Sequence, residues 1–230
     1  MVDHAHLEEL AEASRRLVRT VDGMAEATYA EPSLLPDWTR GHVVAHLALN
    51  AEGLAGALRG LTEGRSVPMY ASQEARDGDI AALGRAEPEA IRSRLLAGVT
   101  DFADAVAAVP EEAWGIEVDR TPGQQSFKAG AAPGMRHREV EIHHADLGLG
   151  YSHADWPATF AVRLIEYIAK RYPDAPLAVH ATDVERTWRL ADGGPTVSGT
   201  AADLGWWLTG RGDGERLTSD DGVLPRMEAW

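Results

Sequence analysis

The 230-residue sequence contains no cysteine. It therefore has no disulfide, no thiolate metal ligand and no thiol nucleophile of its own, so any sulfur chemistry must arrive on a ligand. Lysine is also scarce: only Lys128 and Lys170 occur, against 36 acidic residues and a formal net charge of −14. Because phosphate contacts need clustered lysine and arginine, we do not expect nucleic acid as a partner.

Long apolar runs are missing too. No run reaches the ~18 residues that suggest a membrane span, and no basic start precedes an apolar segment of signal-peptide type. We therefore expect no membrane association and a cytoplasmic location. With 44% hydrophobic and 25% charged residues, the composition is that of a globular chain with a sizeable core. The default expectation is a monomeric enzyme or small-molecule-binding protein.

Helical spacing of apolar residues dominates most of the chain. It predicts one helix ending near Gly23, a second running from the LLPDWT segment to Gly60, and a third between Pro88 and Pro110. Asp37 or Thr39 can cap the second. The segments MRHREVEIHHADLG and WPATFAVRLIEYIAKRYPD predict two more helices, the last ending before Pro173.

From Pro176 onward the pattern changes. PLAVHATD, ERTWRLAD and TVSG predict strands separated by turns, TAADLGWWLTG predicts a helix, and ERLTSDDG predicts a last strand or loop. We therefore predict an α+β chain with a helical domain over residues 1–173 and a small α+β domain with antiparallel strands over residues 174–230.

The segment MRHREVEIHHADLG carries charge into its own apolar face. On a helical projection Glu139 and His143 lie within the apolar arc at i and i+4, so their side chains reach a common point. Arg136 and Asp146 share that arc. Burying such groups costs several kcal/mol unless a cation or an ion-pair network compensates. His137, Glu141 and His144 point the other way, and the pair formed by His137 and Glu141 is expected to face solvent.

A third ligand is offered by the second predicted helix. GHVVAHLALNA is apolar on nearly all sides apart from a stripe formed by His42, His46 and Asn50, which predicts a buried His46. Together His46, Glu139 and His143 would give two imidazoles and a carboxylate with an open position, which suits zinc and also iron(II) or nickel. His42 is a possible fourth ligand. The alternative interpretation is a helical ion pair beside a core histidine that binds a backbone carbonyl.

Four runs, LLPDWTRGHVVAHLALNA, VPMYASQEARDGDIA, MRHREVEIHHADLG and VSGTAADLGWWLTGRGDG, resemble the mycothiol-dependent maleylpyruvate isomerases in content and order. That family lies within the DinB-like superfamily of metal-binding four-helix bundles. The resemblance covers nearly the whole chain and implies a DinB-like bundle followed by a sterol-carrier-like α+β module. It also implies zinc at His46, Glu139 and His143, and functional arginines at Arg76 and Arg211.

The family reaction isomerises maleylpyruvate to fumarylpyruvate in gentisate breakdown. A thiolate adds to the cis C=C bond, the resulting single bond rotates, and expulsion of the thiolate leaves the trans product. The resemblance implies that the metal makes this thiolate from mycothiol, the cofactor, and that Arg76 and Arg211 bind the carboxylates of a dicarboxylate substrate. The alternatives are an ion pair of Arg76 with Glu74 or Asp79, and Arg211 as a helix C-terminal cation.

Several polar residues could support this site. Tyr70 and Asn50 are candidates to orient substrate, cofactor or a ligand histidine, with a structural role as the alternative. Asp146 is a candidate partner of His143, although an ion pair with Arg136 or Arg138 is equally compatible with the spacing. The tryptophans of the C-terminal part are interpreted as core rather than as a ligand box: Trp188, Trp206, Trp207 and Trp230.

Two rival functions use the same residues. A mycothiol S-transferase would use the same thiolate against an electrophile and keep the adduct, and it would not need paired anion sites. A non-enzymatic metal-binding sensor would bind the cation without any thiol-dependent activity.

Overall fold

The computed structural model describes residues 3–171 and 176–228 and divides the chain into two compact units, Met1–Gly150 and Tyr151–Trp230. The division therefore comes before the fifth predicted helix, whereas the prediction placed it near residue 173. That helix joins the second unit because its main packing partners are the C-terminal helix and a strand of the C-terminal sheet. Residue 173 itself, and with it the predicted helix end, lies outside the described residues.

The first unit contains five α-helices and one small hairpin among its described residues. The helices are α1 (His4–Asp22), α2 (Arg40–Thr62), α3 (Gln73–Leu83), α4 (Pro88–Ala108) and α5 (Ala132–Asp146). The hairpin pairs β1 (Glu117–Asp119) with β2 (Ser126–Lys128) in antiparallel register. The long helices α1, α2, α4 and α5 form the bundle, with α2 packed most extensively against α4. The predicted helical bundle is confirmed.

The helix ends follow the local sequence. Thr39 caps α2 by accepting from the backbone N–H of His42, and the His42 ring returns a contact to the Thr39 N–H. Gly23 follows α1, and Pro88 stands in the first turn of α4, where its missing N–H costs nothing. The prediction missed α3, because its charged QEARDGD start lacks apolar periodicity. Ser72 caps that helix by accepting from the Ala75 N–H.

The centre of the bundle is α2. Its sequence is apolar on almost every side, and most of its residues are buried, including Leu47, Leu54 and Leu58. Gly53 lets the segment around Met69 approach α2 closely, because a Cβ atom at position 53 would lie 2.9 Å from the Met69 carbonyl oxygen. Met69 and Tyr70 donate their backbone N–H groups to Asp119 and Arg120. Tyr70 is thus held between α2 and the hairpin.

The second unit contains α6 (Ala158–Arg171), α7 (Ala201–Leu208) and a four-stranded sheet. Its strands are β3 (Leu177–Ala181), β4 (Arg186–Leu190), β5 (Thr196–Gly199) and β6 (Thr218–Ser219), in the order β4-β3-β5-β6. The predicted strands and helix are all present. The sheet is mixed rather than antiparallel, because β5 reverses direction after β4 and therefore runs parallel to β3.

Trp188 and Trp207 are buried in this unit, in agreement with their interpretation as core, and Trp230 lies outside the described residues. Across residues 3–171 and 176–228, the helices are too short or too polar to cross a bilayer.

Candidate metal centre

Three predicted ligands from two helices of the first unit meet at one point. His46 on α2 and Glu139 and His143 on α5 place their ligand atoms within 4.8 Å of one another. Oε2 of Glu139 lies 2.8 Å from Nε2 of His46 and 3.2 Å from Nε2 of His143. The two rings stand edge to face, with centroids 4.8 Å apart. The burial of His46, which is 3% exposed, is confirmed.

For two of the three residues in this cluster, the electrostatics favour the protonation state that can bind a metal ion. Burial raises the pKa of Glu139, but the two histidines outweigh burial and hold the pKa well below its ordinary value, so the carboxylate is ionised. Burial lowers the pKa of His46 to about 4 despite the attraction of Glu139, so this imidazole is neutral near pH 7. Burial also lowers the pKa of His143, but hydrogen bonds with Asp146 and Glu139 raise it more strongly.

Asp146 fixes the orientation of His143. Its Oδ2 atom lies 2.8 Å from Nδ1 of His143, and its side chain is buried. A ring N–H held at Nδ1 leaves Nε2 directed at Glu139, the arrangement that outer-shell carboxylates impose on metal-bound imidazoles. The predicted Asp146–His143 contact is confirmed.

The predicted polar residues Asn50, Tyr70 and Arg76 adjoin the cluster. Nη2 of Arg76 lies 3.4 Å from Nδ1 of His46, while its Nη1 pairs with Asp77 at 2.8 Å rather than with Glu74 or Asp79. Burial raises the pKa of Tyr70, and hydrogen bonding of its hydroxyl with Arg76 and Asn50 opposes that rise. Tyr70 and Arg76 also line a cavity of about 320 Å³.

His42 is not part of the cluster. Its Nδ1 atom contacts the Thr39 hydroxyl at 2.7 Å in the cap of α2, so the structure gives it a capping role rather than a fourth-ligand role.

The predicted exposure of the other face of α5 was wrong. His137, Glu141 and His144 are each at most 1% exposed. They are buried because α1 covers this face and brings its own polar side chains: Arg16 donates to Glu141 at 2.7 Å, His6 contacts His137 at 3.0 Å, and Thr20 contacts His144 at 2.8 Å. A projection of α5 alone cannot reveal this cover.

The sequence placed Arg136 on the apolar arc and offered it only as a possible ion-pair partner of Asp146. It is 1% exposed, and its Nη1 atom donates to the Leu47 carbonyl oxygen at 2.7 Å and to Oδ1 of Asn50 at 2.9 Å. The signal available in the sequence was an arginine one turn before Glu139 on the buried arc.

Arg211 belongs to the second unit. It follows α7 in a Gly-Arg-Gly turn in which both glycines have positive φ, 74° at Gly210 and 69° at Gly212. Its Nη1 donates to the Thr209 carbonyl oxygen at 3.2 Å, and its guanidinium lies 5.7 Å from the Trp206 ring centroid. Trp206 in turn stacks on His153 with centroids 5.1 Å apart. The role of Arg211 remains a prediction.

This is a helical bundle in which two helices bring together two imidazoles and a carboxylate, a donor set that could hold a divalent metal ion and leave a coordination position open. Comparison with known proteins narrows this class. The mycothiol maleylpyruvate isomerase N-terminal domain model matches residues 10–148, and the C-terminal domain model of the same isomerases matches residues 154–229. The chain belongs to the mycothiol-dependent maleylpyruvate isomerase family.

Solved structures agree with this assignment. The crystal structure of a mycothiol-dependent maleylpyruvate isomerase is similar to this chain with a TM-score of 0.90 and 29% sequence identity, covering 98% of this chain and 96% of that one. A histidine-to-alanine mutant of such an isomerase gives a TM-score of 0.89 at the same identity and coverage. A search of curated proteins gave no match.

Proposed function

We propose that this chain catalyses the mycothiol-dependent cis–trans isomerisation of maleylpyruvate to fumarylpyruvate, with a divalent cation, zinc, held by His46, Glu139 and His143. The observation that carries the proposal is the convergence of these three donors within 4.8 Å in a chain whose two parts both match the isomerase family. Two imidazoles and one carboxylate leave a position open for a thiol, which the cysteine-free chain does not supply.

The donor set fits a divalent cation. Both Nε2 atoms point at the same carboxylate oxygen, so a cation can replace the protons that these nitrogens hold toward Glu139. When bound, the cation would keep the thiol of mycothiol as a thiolate, the nucleophile whose reversible addition lets the C=C bond rotate. Residues of the chain are proposed to position the substrate and to neutralise its carboxylates and the enolate oxygen.

Arg76 is proposed to bind a substrate carboxylate or the enolate oxygen that develops on addition. With a hydrogen on Nε2 of His46, Nδ1 is the acceptor that faces Arg76 at 3.4 Å. Use of Nε2 as a ligand moves the ring hydrogen to Nδ1, so Arg76 no longer finds an acceptor there. Its guanidinium then becomes available to an anion while Tyr70 and Asp77 still hold it.

Arg211 is proposed as the second carboxylate-binding group, and Tyr70 and Asn50 as groups that orient Arg76 and substrate. The contact of Arg211 with Trp206, whose ring centroid lies 5.7 Å from the guanidinium, supports this role, because a guanidinium held beside an aromatic ring has fewer orientations to lose when it binds an anion. Paired carboxylate-binding groups are needed by the isomerase and not by a transferase, so the assignment of Arg76 and Arg211 distinguishes the two functions.

The test is a turnover assay with purified protein. Loss of the maleylpyruvate absorbance should require both mycothiol and the metal: removal of the metal with a chelator should abolish turnover, and zinc should restore it. Unchanged absorbance with mycothiol and zinc present would overturn the proposal. If the same protein then conjugated mycothiol to a bromobimane-type electrophile, it would be assigned as an S-transferase. Metal binding without any thiol-dependent activity would indicate a sensor.

A further inference from the structure

Arg136 is a buried cation that the proposed reaction does not use. It is 1% exposed, and within residues 3–171 and 176–228 no carboxylate lies within ion-pair distance of its guanidinium. Burial lowers the pKa of Arg136 to about 10, which still leaves it charged at neutral pH. An apolar side chain of similar volume stabilises a core as well as or better than a buried charge. The presence of an arginine here is therefore explained by the groups to which it donates hydrogen bonds.

Arg136 is hydrogen-bonded to α2, the helix that carries the third ligand, His46. From α5, Nη1 of Arg136 donates to the Leu47 carbonyl oxygen and to Oδ1 of Asn50, both on α2. Leu47 directly follows His46, and Arg136 lies one helical turn before Glu139. The contact therefore fixes the axial position of α2 against α5 beside the point where their ligand atoms meet.

The same contact also orients the Asn50 amide. Because Oδ1 accepts from Arg136, the amide N–H₂ group is directed away from it and donates to the Tyr70 hydroxyl. Tyr70 in turn receives a hydrogen bond from Arg76, whose other nitrogen faces Nδ1 of His46. A continuous chain of polar contacts thus leads from Arg136 through Asn50, Tyr70 and Arg76 back to His46.

We propose that Arg136 is a positioning residue that sets the spacing of His46 against the Glu139–His143 pair by fastening the α2 backbone to α5. The inference rests on the proposed metal site, but not on the isomerase reaction. Its role is carried through the hydrogen bonds that its Nη1 atom donates to Leu47 and Asn50 on α2.

The experiment measures the binding of Co²⁺ to metal-free protein, by visible absorption and by competition with a chelator. In Arg136→Met we expect Co²⁺ affinity to fall about tenfold, the low end of the range for groups that orient ligands, and the cobalt spectrum to change because the ligands are less well placed. Arg136→Lys keeps the charge and one donor, so it should recover part of the affinity and part of the spectrum.

The matched control lies on the opposite face of α5. The double variant Arg16→Met, Glu141→Gln removes another buried arginine contact to a neighbouring helix, the one with Glu141, without leaving a bare carboxylate. We expect it to alter thermal stability while Co²⁺ affinity and spectrum stay as in the wild type. Loss of affinity in the control as large as in Arg136→Met would show that affinity follows global stability, and would overturn the inference.

The remaining outcomes also decide. Wild-type affinity and spectrum in Arg136→Met would overturn the positioning role and leave the metal site intact. If Arg136→Met does not fold, Arg136→Lys decides alone: a loss of about threefold with a shifted spectrum supports the role, and unchanged values contradict it. A wild-type protein that binds no Co²⁺ would instead refute the proposed metal site, which keeps the two failures distinguishable.

Discussion

The two faces of α5 carry nearly the same chemistry and do different things. One face has Glu139 and His143 at i, i+4; the other has His137 and Glu141 at the same spacing, and both pairs are largely buried. On the α1 side the polar groups find partners on α1, with Arg16 on Glu141 and His6 on His137. On the α2 side, three ligand atoms converge.

The difference lies in the neighbouring helix. Arg16 from α1 brings a positive charge, so the buried carboxylate of Glu141 is neutralised within the protein. His46 from α2 is a neutral imidazole whose nitrogen adds a lone pair rather than a charge. One face is therefore closed by its own ion pair, whereas the other collects donors that a divalent cation can bind.

The largest expected effect separates the two carboxylates. Glu139→Gln should remove metal binding, because an amide oxygen is a weaker ligand and carries no charge, with a loss exceeding the 10- to 100-fold that is typical of outer-shell changes. Turnover should fall to background with it. Glu141→Gln should keep both metal content and turnover, since Glu141 faces α1. Elemental analysis of protein purified without added metal provides the measurement.

The opposite results would contradict the proposed difference between Glu139 and Glu141. If Glu139→Gln retained a full complement of metal and activity, the convergence of its carboxylate with the two imidazoles would be an ordinary buried ion pair. If Glu141→Gln lost metal in proportion to its loss of stability, the site would depend on α1 packing as much as on α2.

A second, smaller effect concerns the groups behind each face. Asp146→Asn should lower metal affinity about tenfold, because the amide can still accept from Nδ1 of His143 but no longer supports the ring with a negative charge. Thr20→Val, the matched change on the α1 side, removes the hydroxyl that contacts His144. It should cost about 1 kcal/mol of unfolding free energy, measured in urea, with metal affinity unchanged. Equal metal affinities in the two variants would contradict the assignment of Asp146.

The sequence predicted one face of α5 and missed the other for a physical reason. Apolar periodicity places the buried arc, and an apolar α2 predicts a buried His46, so the three ligands follow from local pattern. The burial of His137 and Glu141 depends on which side chains α1 happens to bring, and this depends on tertiary packing that a projection of one helix does not contain. Arg136 illustrates the same limit: its place on the arc was predictable, but its acceptors, Leu47 and Asn50, were not.

The fold was predicted to a similar depth. Helix caps and turn residues mark their elements directly in the sequence: Gly23 was recognised as the end of α1, and Thr39 was one of two candidate caps of α2, the other being Asp37. The helix α3 lacks an apolar stripe, so periodicity gave no signal for it. The division at Gly150 was missed because α6 looks like any amphipathic helix until its partners in the second unit are known.

A further expected effect is a dependence of metal affinity on pH, and it comes from His143. Hydrogen bonds with Asp146 and Glu139 raise the pKa of His143 despite burial, so its proton must leave before Nε2 can bind a cation. Glu139 and His46, with pKa values lowered well below the ordinary carboxylate value and to about 4, are already in their ligand forms near neutral pH. Affinity should therefore fall by up to about tenfold per pH unit below the pKa of His143 and level off above it.

Asp146→Asn, which weakens the metal site, should also lower the pH at which metal affinity begins to fall. Asp146 helps to raise the pKa of His143, so Asp146→Asn lowers that pKa, and the fall in affinity should begin at a lower pH than in the wild type. Thr20→Val, which does not touch His143, should leave the onset where it is. Chelator competition with Co²⁺ between pH 5 and 8 measures the onset directly. An onset that stays fixed in Asp146→Asn would mean that the released proton does not belong to His143.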